Sequence, residues 1–460
     1  MSASLAGRPR LPGEPGGPGC PSVSWRWLLL LVVLGVGAGC ATTKSSPRPA
    51  AGLPTSYEEY ARPDPQPLPP PAILGPVTGE LLEVEVIDVG QGESILILPP
   101  GQQSILVDTG PEDAAGAIAH ELLEHGIERI DLLITTHAHS DHIGGFSRLA
   151  RRFPIGAVLD SLRPEPGPLF AQYTRLLRQQ KTPVSRARAG MLLHVEESRI
   201  GLYEPPTADG SLQGVLLDGA GGTLLPVRAR LAPALAEQLG YARPASARPA
   251  VGVAAPAPGL PGMAARPLPP PAPSPDVVAG PASLPALPRA LGLAEPPLLE
   301  PGQGVLLQVL QPEAPFITDS RSNGNANTIV LKLIYKDVCM IFSGDAEAET
   351  EQRLLRLPES LRCPVLKVAH HGSGYSSTNE FLDAVAPAVG LISAGRFNAH
   401  GHPHPETVRK LYERGVWVFR TDKMGNITLR TDGQRVQIQY ERTPEYWQRF
   451  LERKQRLDRN

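Results

Sequence analysis

The stretch Thr136-His137-Ala138-His139-Ser140-Asp141-His142-Ile143-Gly144-Gly145 limits what this chain can fold into more than any other part of it. Three histidines and an aspartate stand within six residues, directly after the apolar run Ile130-Asp-Leu-Leu-Ile-Thr135. That run reads as a short strand, and a helix is expected to start near Asp141. On the extended segment His137 and His139 point the same way, because side chains alternate along a strand. Asp141 and His142 follow at the helix start. Imidazole and carboxylate at this density make two adjacent divalent-metal half-sites. The bland alternative is four polar residues on a surface loop. With 11 histidines in 460 residues, chance seldom builds such a cluster.

The rest of the chain divides by composition. Of its 52 prolines, 15 lie in residues 1–78 and 17 in residues 241–303, so the excess belongs to two segments and the remainder can be an ordinary globular domain. Charge is balanced, at 44 Lys and Arg against 46 Asp and Glu, which argues against a general nucleic-acid coat. Four cysteines exclude a disulfide scaffold. Arg8, Arg10 and Arg26 precede an apolar run from Trp27 to Gly39, shorter than the roughly 20 residues a membrane-spanning helix needs. It reads as the apolar part of a signal peptide. Gly37-Ala38-Gly39-Cys40 resembles a bacterial lipobox, with Gly37 where an aliphatic residue is usual. Lipid on Cys40 is therefore expected, and with it an exported, membrane-anchored lipoprotein facing the periplasm or cell exterior.

The expected organisation is a signal peptide over 1–39 and a Pro-rich tether over 40–78, too poor in aliphatic residues to offset its ordering entropy. A globular domain follows in two halves, 79–204 and 304–440. They flank an insertion at 205–303 that is largely Pro/Ala-rich and disordered, with helix-like pieces such as Ala229 to Leu239. A charged amphipathic helix over 441–460 closes the chain, packed on the domain. Cys339 and Cys363 fall in or beside core strands, where buried free thiols are the default and a bridge is the alternative in an exported protein.

His-x-His-x-Asp-His after a strand resembles the metallo-β-lactamase fold superfamily. Other landmarks fall in that family's order: Leu106-Val-Asp108-Thr-Gly110, Phe342-Ser-Gly-Asp345 and Val368-Ala-His370-His371-Gly-Ser373. More narrowly, the chain is similar to the hydrolase domain of ComEC-type DNA-uptake proteins. The runs that carry this are Ile87-Asp-Val-Gly-Gln-Gly-Glu-Ser94, Asn325-Ala-Asn327-Thr-Ile-Val330, Gly401-His402-Pro-His404-Pro405 and Arg420-Thr-Asp422-x-x-Gly425. The resemblance covers about 80–204 and 304–440. It implies a four-layer αββα sandwich, α/β in class, and a hydrolase using two divalent metals, zinc first and manganese second.

One metal is expected on His137, His139 and Asp345, with water or a side chain such as His402 completing it. The other is expected on Asp141, His142, Asp345 and either His370 or His371. Those two histidines sit at a strand end, so they are expected to face opposite ways, with only one binding. Asp345 and Asp141 carry the catalytic weight, Asp345 as the bridge. Asp108 is expected to orient a histidine from behind. Asn327, Ser373 and Ser376 are candidate donors to a substrate oxyanion. His194 is the lone histidine between the cluster and Asp345 that could serve as a third ligand, and its apolar surroundings mark it as structural. The leading substrate is a phosphodiester, nucleic acid included, and nothing in the sequence calls for an obligate protein partner. Esters of cell-envelope phosphodiesters, lactones and β-lactams are the enzymatic alternatives. A binding lipoprotein with an idle metal site is the non-enzymatic one.

Overall fold

A computed structural model gives the architecture. It describes residues 56–457 apart from 63, 65, 68–69, 102, 197–198, 219–223, 242–297 and 359. The expected signal peptide, Cys40 and most of the Pro/Ala-rich stretch lie outside the described residues.

The chain begins in one sheet, crosses to a second and returns. Strands β1 (Leu82–Val86), β2 (Ile95–Leu98), β3 (Ile105–Val107), β4 (Ile130–Thr135), β5 (Ile155–Asp160) and β6 (Val184–Arg186) form most of the first sheet. The second contains β7 (Leu192–Glu196), β8 (Arg199–Tyr203), β9 (Ser211–Asp218), β10 (Leu224–Leu231), β11 (Leu298–Leu299), β12 (Val305–Gln311), β13 (Val330–Tyr335), β14 (Val338–Phe342), β15 (Val365–Lys367), β16 (Val389–Ile392) and β17 (Trp417–Arg420). Strands β18 (Ile427–Thr431) and β19 (Val436–Tyr440) then rejoin the first sheet, with β18 antiparallel to β1.

Alternation along the strands builds the layers. Leu82, Val84 and Val86 of β1 and Val305, Leu307 and Val309 of β12 meet in one cluster between the sheets. Leu96, Leu106 and Leu133 point outward instead, onto the helices Ala115–Glu124 and Pro168–Gln180. On the far side Leu366, Val368 and Val418 pack beneath the helices Asn379–Val385 and Pro405–Glu413. Because both faces of each sheet are covered, strands such as β12 and β13 are buried throughout and lack a polar face. The result is the expected αββα sandwich.

Three expectations change. Residues 211–218 and 224–231 form the antiparallel pair β9–β10, which extends the second sheet through β8 and takes β11 as a parallel neighbour. Ala229 to Leu231 is therefore strand, and only Pro233–Gln238 is helical. Its apolar residues, Leu235 and Leu239, fill a cluster of their own with Leu212 and Leu231.

The described residues between 56 and 78 do not behave as a free tether. Tyr60 is buried, Asp64 pairs with Arg420 and Lys423, and Gln66 exchanges hydrogen bonds with the backbone of Val418. Specific polar contacts on the outer strand β17 supply the anchoring that aliphatic content could not. The C-terminal helix Pro444–Leu457 packs on the same corner, with Trp447 buried and Phe450 5.0 Å from the Tyr57 ring.

Cys339 and Cys363 form a disulfide, with Cα atoms 5.3 Å apart. The parallel register of β14 and β15, Met340 opposite Val365, places one cysteine on β14 and the other at the approach to β15. Among the described residues no helix is long and apolar enough to cross a membrane.

Candidate metal centre

The site sits where strand ends from both sheets meet. After β4 the chain runs extended through His137 and turns into the short helix Ser140–Ile143. Gly144 and Gly145 end that turn against the Thr109–Glu112 backbone. A Cβ on Gly145 would lie 2.2 Å from the Thr109 carbonyl oxygen, so only glycine allows the approach. The approach brings Asp108 under the histidines. Its carboxylate accepts from the Thr136 backbone N–H at 2.8 Å, from the Thr136 hydroxyl at 2.5 Å and from His142 Nδ1 at 2.7 Å. His142 is thereby held with Nε2 bare and facing forward.

His371 is set in the same way from the other sheet. Its Nδ1 donates to the Ser393 carbonyl at 2.9 Å, leaving Nε2 bare. That nitrogen lies 3.5 Å from Asp141 Oδ2 and 3.6 Å from Asp345 Oδ1. His142 Nε2 is 3.4 Å from Asp345 Oδ2 and 3.9 Å from Asp141 Oδ2. One donor atom from each of Asp141, His142, Asp345 and His371 lies within 4.8 Å of the others. His142 Nε2, His371 Nε2 and Asp345 Oδ1 are buried without a hydrogen-bond partner. Buried polar atoms are nearly always satisfied. Two imidazoles and two carboxylates converging, three of them with a buried donor atom left unpaired, fit a divalent ion with nitrogen and oxygen ligands.

A second group lies alongside. His137 Nε2 is 3.1 Å from His139 Nδ1 and 3.8 Å from Asp345 Oδ2. His370 Nε2 is 3.7 Å from Asp345 Oδ2, and its Nδ1 is 3.3 Å from Glu347 Oε1. Asp345 thus faces histidines of both groups. His370 and His371 do not point oppositely, because they do not continue a strand. Both adopt left-handed backbone angles, at φ +50° and +56°, in a tight turn that brings both rings to the site. Such conformations are costly for residues other than glycine and cluster at functional sites.

Electrostatics follow the packing. Burial, and then the nearby charge of His142, push His137 well below the usual histidine value. Burial opposes ionisation of Asp345, but the fields of His142 and His371 win and hold it well below the carboxylate range. Glu347 is likewise lowered to about 2; burial opposes this, and hydrogen bonds involving His370, Arg321 and Asn325 outweigh it. Burial lowers His402 to about 3, helped by His371 and His370.

An open cleft of ≈ 370 Å³ fronts the site and is lined by Gln91, His139, Asp141, Arg321, Asn325, Asp345, His370, His371, Ser373, Tyr375, His400 and His402, among others. Asp108 orients from behind. Ser373 reaches the cleft wall, where its hydroxyl accepts from the Tyr375 N–H. Asn327 is spent elsewhere: its amide bonds the backbone of Ile317 and Asn323, pinning the loop before β13. The Asn-rich run instead contributes Asn325, whose Nδ2 reaches Glu347 at 3.1 Å and lies 3.4 Å from His370 Nε2. Ser376 is bonded to the Ala346 carbonyl. His194 is remote, with Nε2 on the Gln303 carbonyl. Sequence reasoning missed Glu347, Arg321, Tyr375 and Gln91. Glu347, two residues past Asp345, could have been suspected; Arg321 and Tyr375 meet only through folding, with the guanidinium 3.7 Å from the ring centre.

Residues 87–231 match the family model described as the Metallo-beta-lactamase superfamily. The match spans under a third of the 460 residues, so over that stretch the chain is similar to the metallo-β-lactamase superfamily. Its similarity to ComEC-type competence proteins is equally plain. ComE operon protein 3 of Bacillus subtilis is 38% identical over 122 residues, which is 26% of this chain and 15% of that protein. Competence protein ComA of Neisseria gonorrhoeae is 30% identical over 127 residues, 27% of this chain and 18% of that one. Recombination protein 2 of Haemophilus influenzae is 31% identical over 141 residues, 31% and 17%. In each case the matched stretch is less than a fifth of the relative's length.

Proposed function

We propose that this chain is an exported, metal-dependent phosphodiesterase, nuclease-like in substrate preference and anchored by lipid on Cys40. The observation that carries the reading is the convergence of Asp141, His142, Asp345 and His371 behind an open cleft, the last three with a buried donor atom that has no hydrogen-bond partner. Zinc suits this mixture of nitrogen and oxygen donors. Two bound divalent ions would supply Lewis acidity and a water of lowered pKa.

The protein's own part is positional. Asp345 turns Oδ1 toward His371 and Oδ2 toward His142, His137 and His370, which suits a bridge between two ions. Asp141 completes the ligand set at the first. Asp108 and the Ser393 carbonyl hold Nδ1 of His142 and His371 from behind, so neither ring must turn on binding. Arg321, half exposed on the cleft wall, offers a guanidinium to an anionic substrate. The likeness to competence proteins favours nucleic acid as the phosphodiester. The Cys339–Cys363 disulfide favours an oxidising compartment, as export requires.

Metal analysis of the purified protein, followed by assay on bis-p-nitrophenyl phosphate, single-stranded DNA, a phosphorylcholine ester and a chromogenic β-lactam, tests this. Turnover of both bis-p-nitrophenyl phosphate and DNA, abolished by chelation, is expected. Metal-loaded protein inert toward every phosphodiester overturns the activity. Cys40→Ser should leave the protein unprocessed or release it from the membrane fraction; unchanged mass and fractionation overturn the anchor.

A further inference from the structure

We propose that His402 offers its Nε2–H to a substrate oxygen in the cleft, as a neutral hydrogen-bond donor whose tautomer is imposed by Gln91. The inference rests on the phosphodiester reading for its substrate, but not for its tautomer.

The argument starts from a backbone amide, which can only donate. Gly395 N lies 3.3 Å from Gln91 Oε1 and donates to it, so that end of the side chain is the carbonyl oxygen. The other end is the NH₂, and it stands 3.4 Å from His402 Nδ1. An amide nitrogen also only donates. His402 Nδ1 must therefore accept, and the ring proton resides on Nε2. The loop holds this arrangement. Asn398 Nδ2 donates to the carbonyls of Gly395 and His402, and Asn398 Oδ1 accepts from His402 N at 3.0 Å. From outside, the Phe397 N–H donates to the hydroxyl of buried Tyr60 at 2.8 Å.

His371 provides the contrast. The two rings are nearly parallel, 6.2 Å apart. In His371 the Nδ1 proton goes to a carbonyl and Nε2 keeps a lone pair, which suits a metal. In His402 the pattern is reversed, which suits an oxygen acceptor. His402 therefore belongs to substrate binding and not to the ligand set. A preorganised donor aimed at a developing oxyanion is among the larger single contributions to catalysis.

The decisive variant is Gln91→Glu. It preserves shape and the acceptor for Gly395, but its carboxylate can only accept, which drives the His402 proton to Nδ1. Activity on DNA should fall about 100-fold, as should that of His402→Leu. Gln91→Leu, which leaves both tautomers open, should lose less. Bound metal should stay at the wild-type level in all three. Long-range ¹⁵N–¹H spectra should show the Nε2–H form of His402 in wild type and the Nδ1–H form in Gln91→Glu. An Nδ1–H form in wild type, or loss of metal in His402→Leu, overturns the inference, as does Gln91→Glu matching wild type where wild type is active. If wild type turns over no phosphodiester, the parent reading fails, while the spectra and metal content still decide the tautomer.

Discussion

The two histidine groups at the centre are neighbours built on different principles. In Asp141, His142, Asp345 and His371, each imidazole spends Nδ1 on a fixed acceptor, and His142 Nε2, His371 Nε2 and Asp345 Oδ1 are buried without a partner. In His137 and His139 the facing nitrogens lie 3.1 Å apart and satisfy each other. The Thr136 hydroxyl gives its proton to Asp108, so it accepts from His137 Nδ1 at 3.1 Å and leaves His137 Nε2 to accept from His139. The first group is preorganised for a cation. The second must break an internal hydrogen bond before it can bind one. A dinuclear site of this kind should therefore load in two steps of unequal affinity.

The largest test of that contrast is Asp345→Ala. Asp345 faces both groups, so its loss should empty both and lower phosphodiesterase activity by at least about 10³-fold, with the circular dichroism spectrum retained. Folded, fully active Asp345→Ala would remove the two-ion assignment. The next variants act on one group each. Asp108→Asn should weaken the tighter step about 10–100-fold, the usual cost of disturbing a partner behind a metal ligand. His137→Ala should abolish the weaker step and spare the tighter one. Isothermal titration with zinc separates them, and equal effects on both steps would erase the distinction.

Acid offers a gentler probe. Glu347 is lowered from 4.5 to about 2 in the folded protein. A depressed carboxylate stabilises the fold above its unfolded pKa, and that contribution is lost as pH falls through the folded value. The melting temperature of the metal-free protein should therefore drop by a few degrees between pH 4.5 and 2 on this account. Glu347→Gln should show a shallower fall. The smallest effect belongs to His194→Ala. It removes one hydrogen bond to the Gln303 carbonyl and should cost about 1 kcal/mol by denaturant unfolding, with metal loading unchanged. Loss of a metal there would return His194 to the ligand set.

The sequence by itself determined the run of strands and helices, and the resemblance of its motifs to the metallo-β-lactamase superfamily implied the sandwich and a set of candidate site residues. The strand before His137, the alternation in β1 to β3 and the short motifs around Asp108, Asp345 and His370 are local, and periodicity reports local structure well. It also marked His194 as a residue with an apolar strand around it. Tertiary structure decided what depends on contacts distant in sequence. Asp64 and Gln66 reach β17 across some 350 residues, so composition alone made 56–78 look unanchored. The β9–β10 pair lacks a strong alternating pattern and is held by its place at the flank of the sheet. The two histidines of the late motif depart from strand geometry through left-handed turns that no residue type there announces. Above all, which imidazole nitrogen carries a proton is fixed by Asp108, Ser393 and Gln91, each far along the chain from the ring it orients. Ligand types can be read in order along a sequence; the lone pairs that make them ligands or donors are set only when the loops meet.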